Sequence, residues 1–134
     1  MKSIGYIIFS LLSMVPTGIH AQSISIAKYA DNRQAAISFT FDDGLKEQYT
    51  ILFPKMQELG IKGTFCLIGS RMNQQPKNHE KQTFSWEQAK EMAQDGQEMT
   101  SHGYGHKNVS KLTQDELRYE VQHNDTLIYQ HTGI

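Results

Sequence analysis

Apolar and polar positions along the chain change period several times, and each change marks an element. In residues 34–41 (QAAISFTF) Ile37, Phe39 and Phe41 alternate with Ser38 and Thr40. That alternation predicts a strand, ended by Asp42-Asp43-Gly44. Tyr49, Leu52, Met56 and Leu59 then recur at helical spacing, which predicts a helix within 46–59 with Gly60 as its stop. Pro54 either kinks that helix or opens a shorter one. Residues 63–69 (GTFCLIG) form an unbroken apolar run between glycines, the pattern of a strand buried on both faces. Residues 71–83 are polar and read as a loop. Ser85-Trp86-Glu87-Gln88 is a capping box that opens a helix to about residue 94, closed by Asp95-Gly96. Residues 97–101 are a short third strand. Thr113-Gln114-Asp115-Glu116 is a second capping box, and its helix runs to about residue 130. Leu117, Val121 and Ile128 are placed on that helix's inner face, with Thr132-Gly133 as its stop.

The resulting order, β-α-β-α-β-α, implies parallel strands with helices packed outside them, the α/β class. Three such units make neither a closed barrel nor a fully covered open sheet. The last helix reaches the end of the chain, as though another strand follows. An unprotected parallel edge of this kind predicts low stability for residues 22–134 by themselves.

Residues 1–21 read differently from the rest. Lys2 precedes the apolar run IGYIIFSLLSMV, Pro16-Thr17-Gly18 breaks it, and Ala21 follows as a small residue. This is the pattern of a secretory signal cleaved after Ala21, and it predicts an exported protein. The run is about 12 residues long, against the roughly 20 that a spanning helix needs. Loss of residues 1–21 removes Lys2 and moves the formal net charge from −1 to −2. Residues 22–134 then form one domain. With 38% hydrophobic and 20% charged residues the whole chain suits an ordinary globular protein, and the absence of basic excess gives no reason to expect nucleic acid as a partner. Export implies an oxidising compartment, yet Cys66 is the single cysteine, so an internal disulfide and a cysteine-based zinc site are both excluded. Within its apolar run Cys66 is expected to be a buried, inert thiol.

Two polar clusters stand at predicted strand ends, where parallel α/β folds build their sites. Asp42-Asp43-Gly44 follows the first strand, and Ser101-His102-Gly103-Tyr104-Gly105-His106 follows the third. Parallel strands bring both to one rim. Asp-Asp-Gly alone is an ordinary turn, and a lone His-x-x-x-His pair is common on surfaces. Together, two imidazoles and a carboxylate make a three-ligand set with an open position, the plan of a catalytic zinc or similar divalent site. One aspartate can then bind the metal while the other serves as a general base. Gly103-x-Gly105 does not continue into a dinucleotide fingerprint, because Asn108 stands where its third glycine belongs. His79, His123 and His131 read as surface residues, and Trp86 as a packing anchor.

With these clusters in place the chain resembles the polysaccharide deacetylases, the NodB-homology domain of carbohydrate esterase family four. The family's first motif is present as Thr40-Phe41-Asp42-Asp43-Gly44, and its His-(Ser/Thr)-x-x-His motif is matched by His102 to His106. The GTFCLIG strand and the Leu112-Thr113-Gln114-Asp115-Glu116-Leu117 helix start fit the pattern, and the resemblance covers roughly residues 35–134. It implies a distorted (β/α) barrel, of which this chain holds an incomplete N-terminal part, and hydrolytic removal of acetyl groups from a polysaccharide or oligosaccharide. By position, Asp42 matches the general base, and Asp43, His102 and His106 match the ligands of a divalent metal, usually zinc. Gly103 departs from the motif's Ser or Thr, so a hydroxyl that shapes the loop is missing. The family's third, fourth and fifth motifs, the last carrying a general-acid histidine, normally lie downstream of a helix like 113–130, and impaired activity is expected without them. Two other readings keep the same residues: a non-catalytic metal- or glycan-binding remnant, and a different Asp-His-His metallohydrolase. Neither oligomeric state nor the choice between N- and O-acetyl follows from the sequence.

Overall fold

The computed structural model describes residue 26, residues 28–73 and residues 82–134. The proposed leader and His79 lie outside the described residues. The chain divides into two units, one up to Ala36 and one from Ile37 to Ile134. The described part of the first holds a 3-10 turn at Ala30–Asn32. No helix among the described residues is long and apolar enough to cross a membrane.

The second unit carries three parallel strands in the order β1-β2-β3: β1 Thr40–Asp42, β2 Thr64–Leu67 and β3 Glu98–Ser101. α1 (Phe53–Leu59) lies between the first two, α2 (Trp86–Gln94) between the second pair, and α3 (Gln114–Arg118) and α4 (Asn124–Thr132) follow β3. The β-α-β-α-β-α order therefore holds. β1 is shorter than the alternation predicts and shifted toward the aspartates. Its register with β2 begins at Thr40↔Thr64, so residues before Phe39 have no strand backbone opposite them, and Ile37 is exposed.

Local signals set the helix ends as the sequence implies. In α2 the Ser85 side chain accepts from the Gln88 N–H at 3.2 Å, and Gln88 Oε1 accepts from the Ser85 N–H at 2.8 Å. Thr113 and Glu116 cap α3 in the same reciprocal way. Gly60 and Gly133 end α1 and α4 in the left-handed conformation, at φ 64° and 81°. Pro54 sits in the first turn of α1, directly after a π turn at Gln48–Leu52. Phe53 and Met56 are buried there, while Leu59 is exposed rather than inward.

A second π turn, Tyr119–His123, joins α3 to α4. It explains a further correction. A π turn adds one residue, about 100° of rotation, so the inward stripe cannot follow a single 3.6-residue period across it. Leu117 and Val121 face solvent, whereas Glu120, Asn124, Ile128 and Thr132 are buried.

The core lies on one face of the sheet. Phe65 and Leu67 are fully buried and cluster with Phe53, Met56, Phe84, Trp86, Ala89, Met92, Met99 and Ile128. Trp86 is a packing anchor as expected, stacked on the His131 ring at a centroid distance of 4.5 Å. The parallel register aligns Thr40, Thr64 and Glu98, then Asp42, Cys66 and Thr100, on the opposite face. β2 is consequently buried on one face and half-buried on the other, not buried on both. Cys66 is half-buried, and its thiol is pushed up to about 11, first by desolvation and then by its hydrogen bond to Asp42. Cys66 is therefore not fully buried, in contrast to the expectation.

Buried amides clamp both ends of β2. Gln97, before β3, accepts from the Gly63 N–H at 2.9 Å and donates to Asp95 Oδ2 at 3.0 Å. Asn124, at the start of α4, accepts from the Gly69 N–H at 2.9 Å and donates to the Leu67 carbonyl at 2.8 Å and Ser101 Oγ at 2.9 Å. A Cβ at Gly69 would fall 2.2 Å from Asn124 Oδ1, so only glycine fits this approach. Asn124→Ala leaves the buried Gly69 N–H without an acceptor and is expected to cost about 1–3 kcal/mol in urea unfolding, whereas loss of an exposed surface amide costs well under 1 kcal/mol.

Asp95 gathers hydrogen bonds from Lys62, Gln57 and Gln97, and the Lys62 bond is the main reason its carboxyl is lowered from 3.8 to about 2. A lowered folded-state value stabilises the fold above the unfolded value, and the contribution is lost as pH falls through the folded one. Urea midpoints should therefore fall between about pH 4 and pH 2. Asp95→Asn should flatten that part of the profile; an unchanged profile would contradict the assignment.

Candidate metal centre

The carboxyl edge of the sheet carries both polar clusters. At the end of β1 the chain passes through two successive left-handed residues, Asp43 at φ 74° and Gly44 at φ 67°. This turn separates the paired aspartates. Asp42 keeps its strand position beside Cys66, while Asp43 is turned onto the rim. The turn is held from outside: the Gly44 carbonyl accepts from the Phe84 N–H at 3.0 Å, and Leu45 pairs with Thr83. A Cβ at Gly44 would meet Met72 Sδ at 3.3 Å and Leu67 Cδ2 at 3.4 Å, so the glycine allows both the turn and its packing.

The histidine loop leaves β3 at the same rim. The His102 N–H donates to the Leu67 carbonyl at 2.9 Å, extending the β2–β3 ladder by one residue. Gly103 (φ 82°) and His106 (φ 53°) then fold the loop back on itself. The two imidazole centroids end 4.7 Å apart at an interplanar angle of 50°. Two neighbouring segments hold the loop: the Ser70 N–H donates to the Tyr104 carbonyl at 3.0 Å, and the Tyr104 N–H to the Glu120 carbonyl at 2.9 Å. The Gly103 N–H donates to Ser101 Oγ at 3.3 Å.

Asp43, His102 and His106 thereby offer one carboxylate oxygen and two imidazole nitrogens that all lie within 4.8 Å of one another. His102 Nε2 is 3.7 Å from Asp43 Oδ1. Ligands bonded at about 2.1 Å around a tetrahedral ion stand roughly 3.4 Å apart, so a small contraction closes this set on a divalent cation. The mixed nitrogen and oxygen donors, half-buried at Asp43 and His102 and exposed at His106, suit such an ion and leave an open position. Asp42 is not a member of the set; it is exposed and lies opposite Cys66 in the β1–β2 register. Beside the two histidines opens a cleft of about 580 Å³, lined in part by Lys107, Val109, Glu120 and Val121.

His123 and His131, read from sequence as surface residues, both join ring stacks, His123 on Tyr119 at 4.6 Å and His131 on Trp86 at 4.5 Å. Sequence reasoning missed Glu120 and Asn124. The available signal was the glycines at 69 and 105, each of which marks a close approach to one of these side chains.

Comparison with known proteins bears on the family and the fold. The chain is 30% identical over 105 residues to YxkH of Bacillus subtilis, a protein named for the polysaccharide deacetylases, covering 75% of this chain and 36% of that one. It is 26% identical over 101 residues to the peptidoglycan-N-acetylglucosamine deacetylase of Bacillus cereus, covering 75% of this chain and 33% of that one. The chain thus spans about a third of the length of these curated relatives. In structure it is similar to the Streptococcus pyogenes deacetylase PplD in complex with acetate, with a TM-score of 0.67 over 75% of this chain and 43% of that one, at 19% identity. That likeness shows the fold, the distorted barrel type of which the three-stranded parallel sheet is an incomplete part. Residues 29–134 match the sequence profile described as polysaccharide deacetylase, and the chain belongs to that family.

Proposed function

We propose that this chain is the N-terminal portion of an exported, metal-dependent carbohydrate deacetylase. The observation that carries the reading is the convergence of Asp43, His102 and His106 at one strand edge in a chain of this family. Asp43, His102 and His106 would hold the cation, with zinc the first candidate from their donor chemistry. A divalent cation there supplies Lewis-acid polarisation of the acetyl carbonyl. Asp42, one residue from the ligand and outside the ligand set, takes the proton from the attacking water at its carboxylate. The turn at Asp43-Gly44 is what lets adjacent carboxylates serve separate roles. The substrate class is an acetylated polysaccharide or oligosaccharide. Residues 1–21 act in this reading as the export signal. Turnover by this stretch alone is low, because protonation of the leaving group falls to an acid in the family's later motifs, a role worth roughly 10²- to 10⁴-fold.

The test is acetate release from acetylated chitooligosaccharide and from acetylated xylan, with and without added zinc, beside zinc titration. Asp43→Asn and His102→Ala are expected to lose zinc binding. Asp42→Asn should keep zinc affinity within about threefold and lower acetate release by about 10²-fold. Release that survives Asp42→Asn would favour a different metallohydrolase using the same ligands. Zinc binding without any release would favour a non-catalytic remnant.

A further inference from the structure

We propose that Glu120 is a positioning residue for the histidine loop, a role that rests on the metal-centre reading. Glu120 stands in the π turn between α3 and α4 and is 3% exposed. Its Oε2 accepts from the Gly105 N–H at 2.7 Å, and its main-chain carbonyl accepts from the Tyr104 N–H at 2.9 Å. Both donors lie between His102 and His106. One residue thus holds the two peptides that set the separation and tilt of the imidazoles.

The loop is built around this carboxylate. A Cβ at Gly103 would meet Glu120 Oε2 at 3.4 Å, and one at Gly105 would meet Oε1 at 3.0 Å. The approach at Gly105 is tighter than an ordinary contact, whereas that at Gly103 is an ordinary one and the glycine there serves the positive φ of 82°. Oε1 is buried and has no hydrogen-bond donor among the described residues, and the Lys107 ammonium is 3.6 Å away. Burying an incompletely partnered carboxylate costs several kcal/mol that an apolar side chain of similar size avoids. Packing alone would favour leucine here. A carboxylate instead supplies a strong, fixed acceptor to the loop, and groups that orient metal ligands in this way are generally worth about 10- to 100-fold in metal affinity.

The inference is tested by zinc affinity, measured in the purified chain by competition with a chromophoric chelator, together with thermal melting by circular dichroism. Glu120→Leu fills the space without an acceptor and is expected to weaken zinc binding about tenfold. Glu120→Gln keeps an acceptor without the charge and should stay within about threefold of the unsubstituted chain. A folded Glu120→Leu chain with unchanged affinity overturns the inference. So does a Glu120→Gln chain as weak as Glu120→Leu, since charge rather than loop position would then be responsible. If Glu120→Leu does not fold, Gly105→Ala presses on the same contact from the other side; an about tenfold loss is expected, and unchanged affinity overturns the inference. His102→Ala separates the two levels. Zinc binding lost there but intact on perturbing Glu120 leaves the metal centre standing and removes only this inference. Failure of the unsubstituted chain to bind zinc removes both.

Discussion

The second unit is organised around the central strand β2 and the buried amides that grip its ends. Gln97 satisfies the Gly63 N–H before the strand, and Asn124 satisfies the Gly69 N–H after it and adds a second donor to the Leu67 carbonyl, which the His102 N–H already reaches. A strand end is where ladder hydrogen bonds stop, and a buried backbone group left there without a partner is costly. Each amide removes that cost and also fixes something else. Gln97 ties the strand entrance to Asp95 and hence to the end of α2. Asn124 ties the exit to Ser101, the residue immediately before His102. The strand that carries the deepest core residues, Phe65 and Leu67, is thereby coupled to the loop that carries the histidines.

One helix face does this work at the rim. Glu120 and Asn124 are four residues apart and both buried, one reaching the histidine loop and the other the ends of β2 and β3. The π turn sets their phase, so a polar stripe rather than Leu117 and Val121 meets the sheet edge. Below that edge the same helix becomes apolar at Ile128, which joins the core with Trp86 and Met92. The division is physically economical: apolar side chains bury area where the sheet face is covered, and polar ones appear where backbone groups would otherwise go unpaired.

Much of this was legible in local sequence signals. The Ser85 and Thr113 capping boxes and the Gly60 and Gly133 stops act within a few residues, so they survive folding unchanged. The order of strands and helices followed from the same signals. The errors arose where an outcome depended on a distant segment. β1 is short because β2 begins only at Thr64. β2 has one half-exposed face because the helices pack on the side of Phe65 and Leu67. The inner face of the last helix was misread because a π turn leaves little trace in composition.

By itself the sequence determined the α/β order and the helix caps and singled out Asp42, Asp43, His102 and His106 as candidates, since adjacent chemistry and turn residues are written in short stretches. Only the tertiary structure decided how Asp42 and Asp43 part company. Two left-handed residues, held by Phe84 and packed on Met72 and Leu67, turn one carboxylate to the rim and leave its neighbour on the strand. Only the tertiary structure likewise brought Asp43 to His102 and His106, and set Glu120 behind them. Those contacts join residues about 60 positions apart at the site and 15 apart behind it, and no local pattern encodes the space that a glycine leaves for a carboxylate.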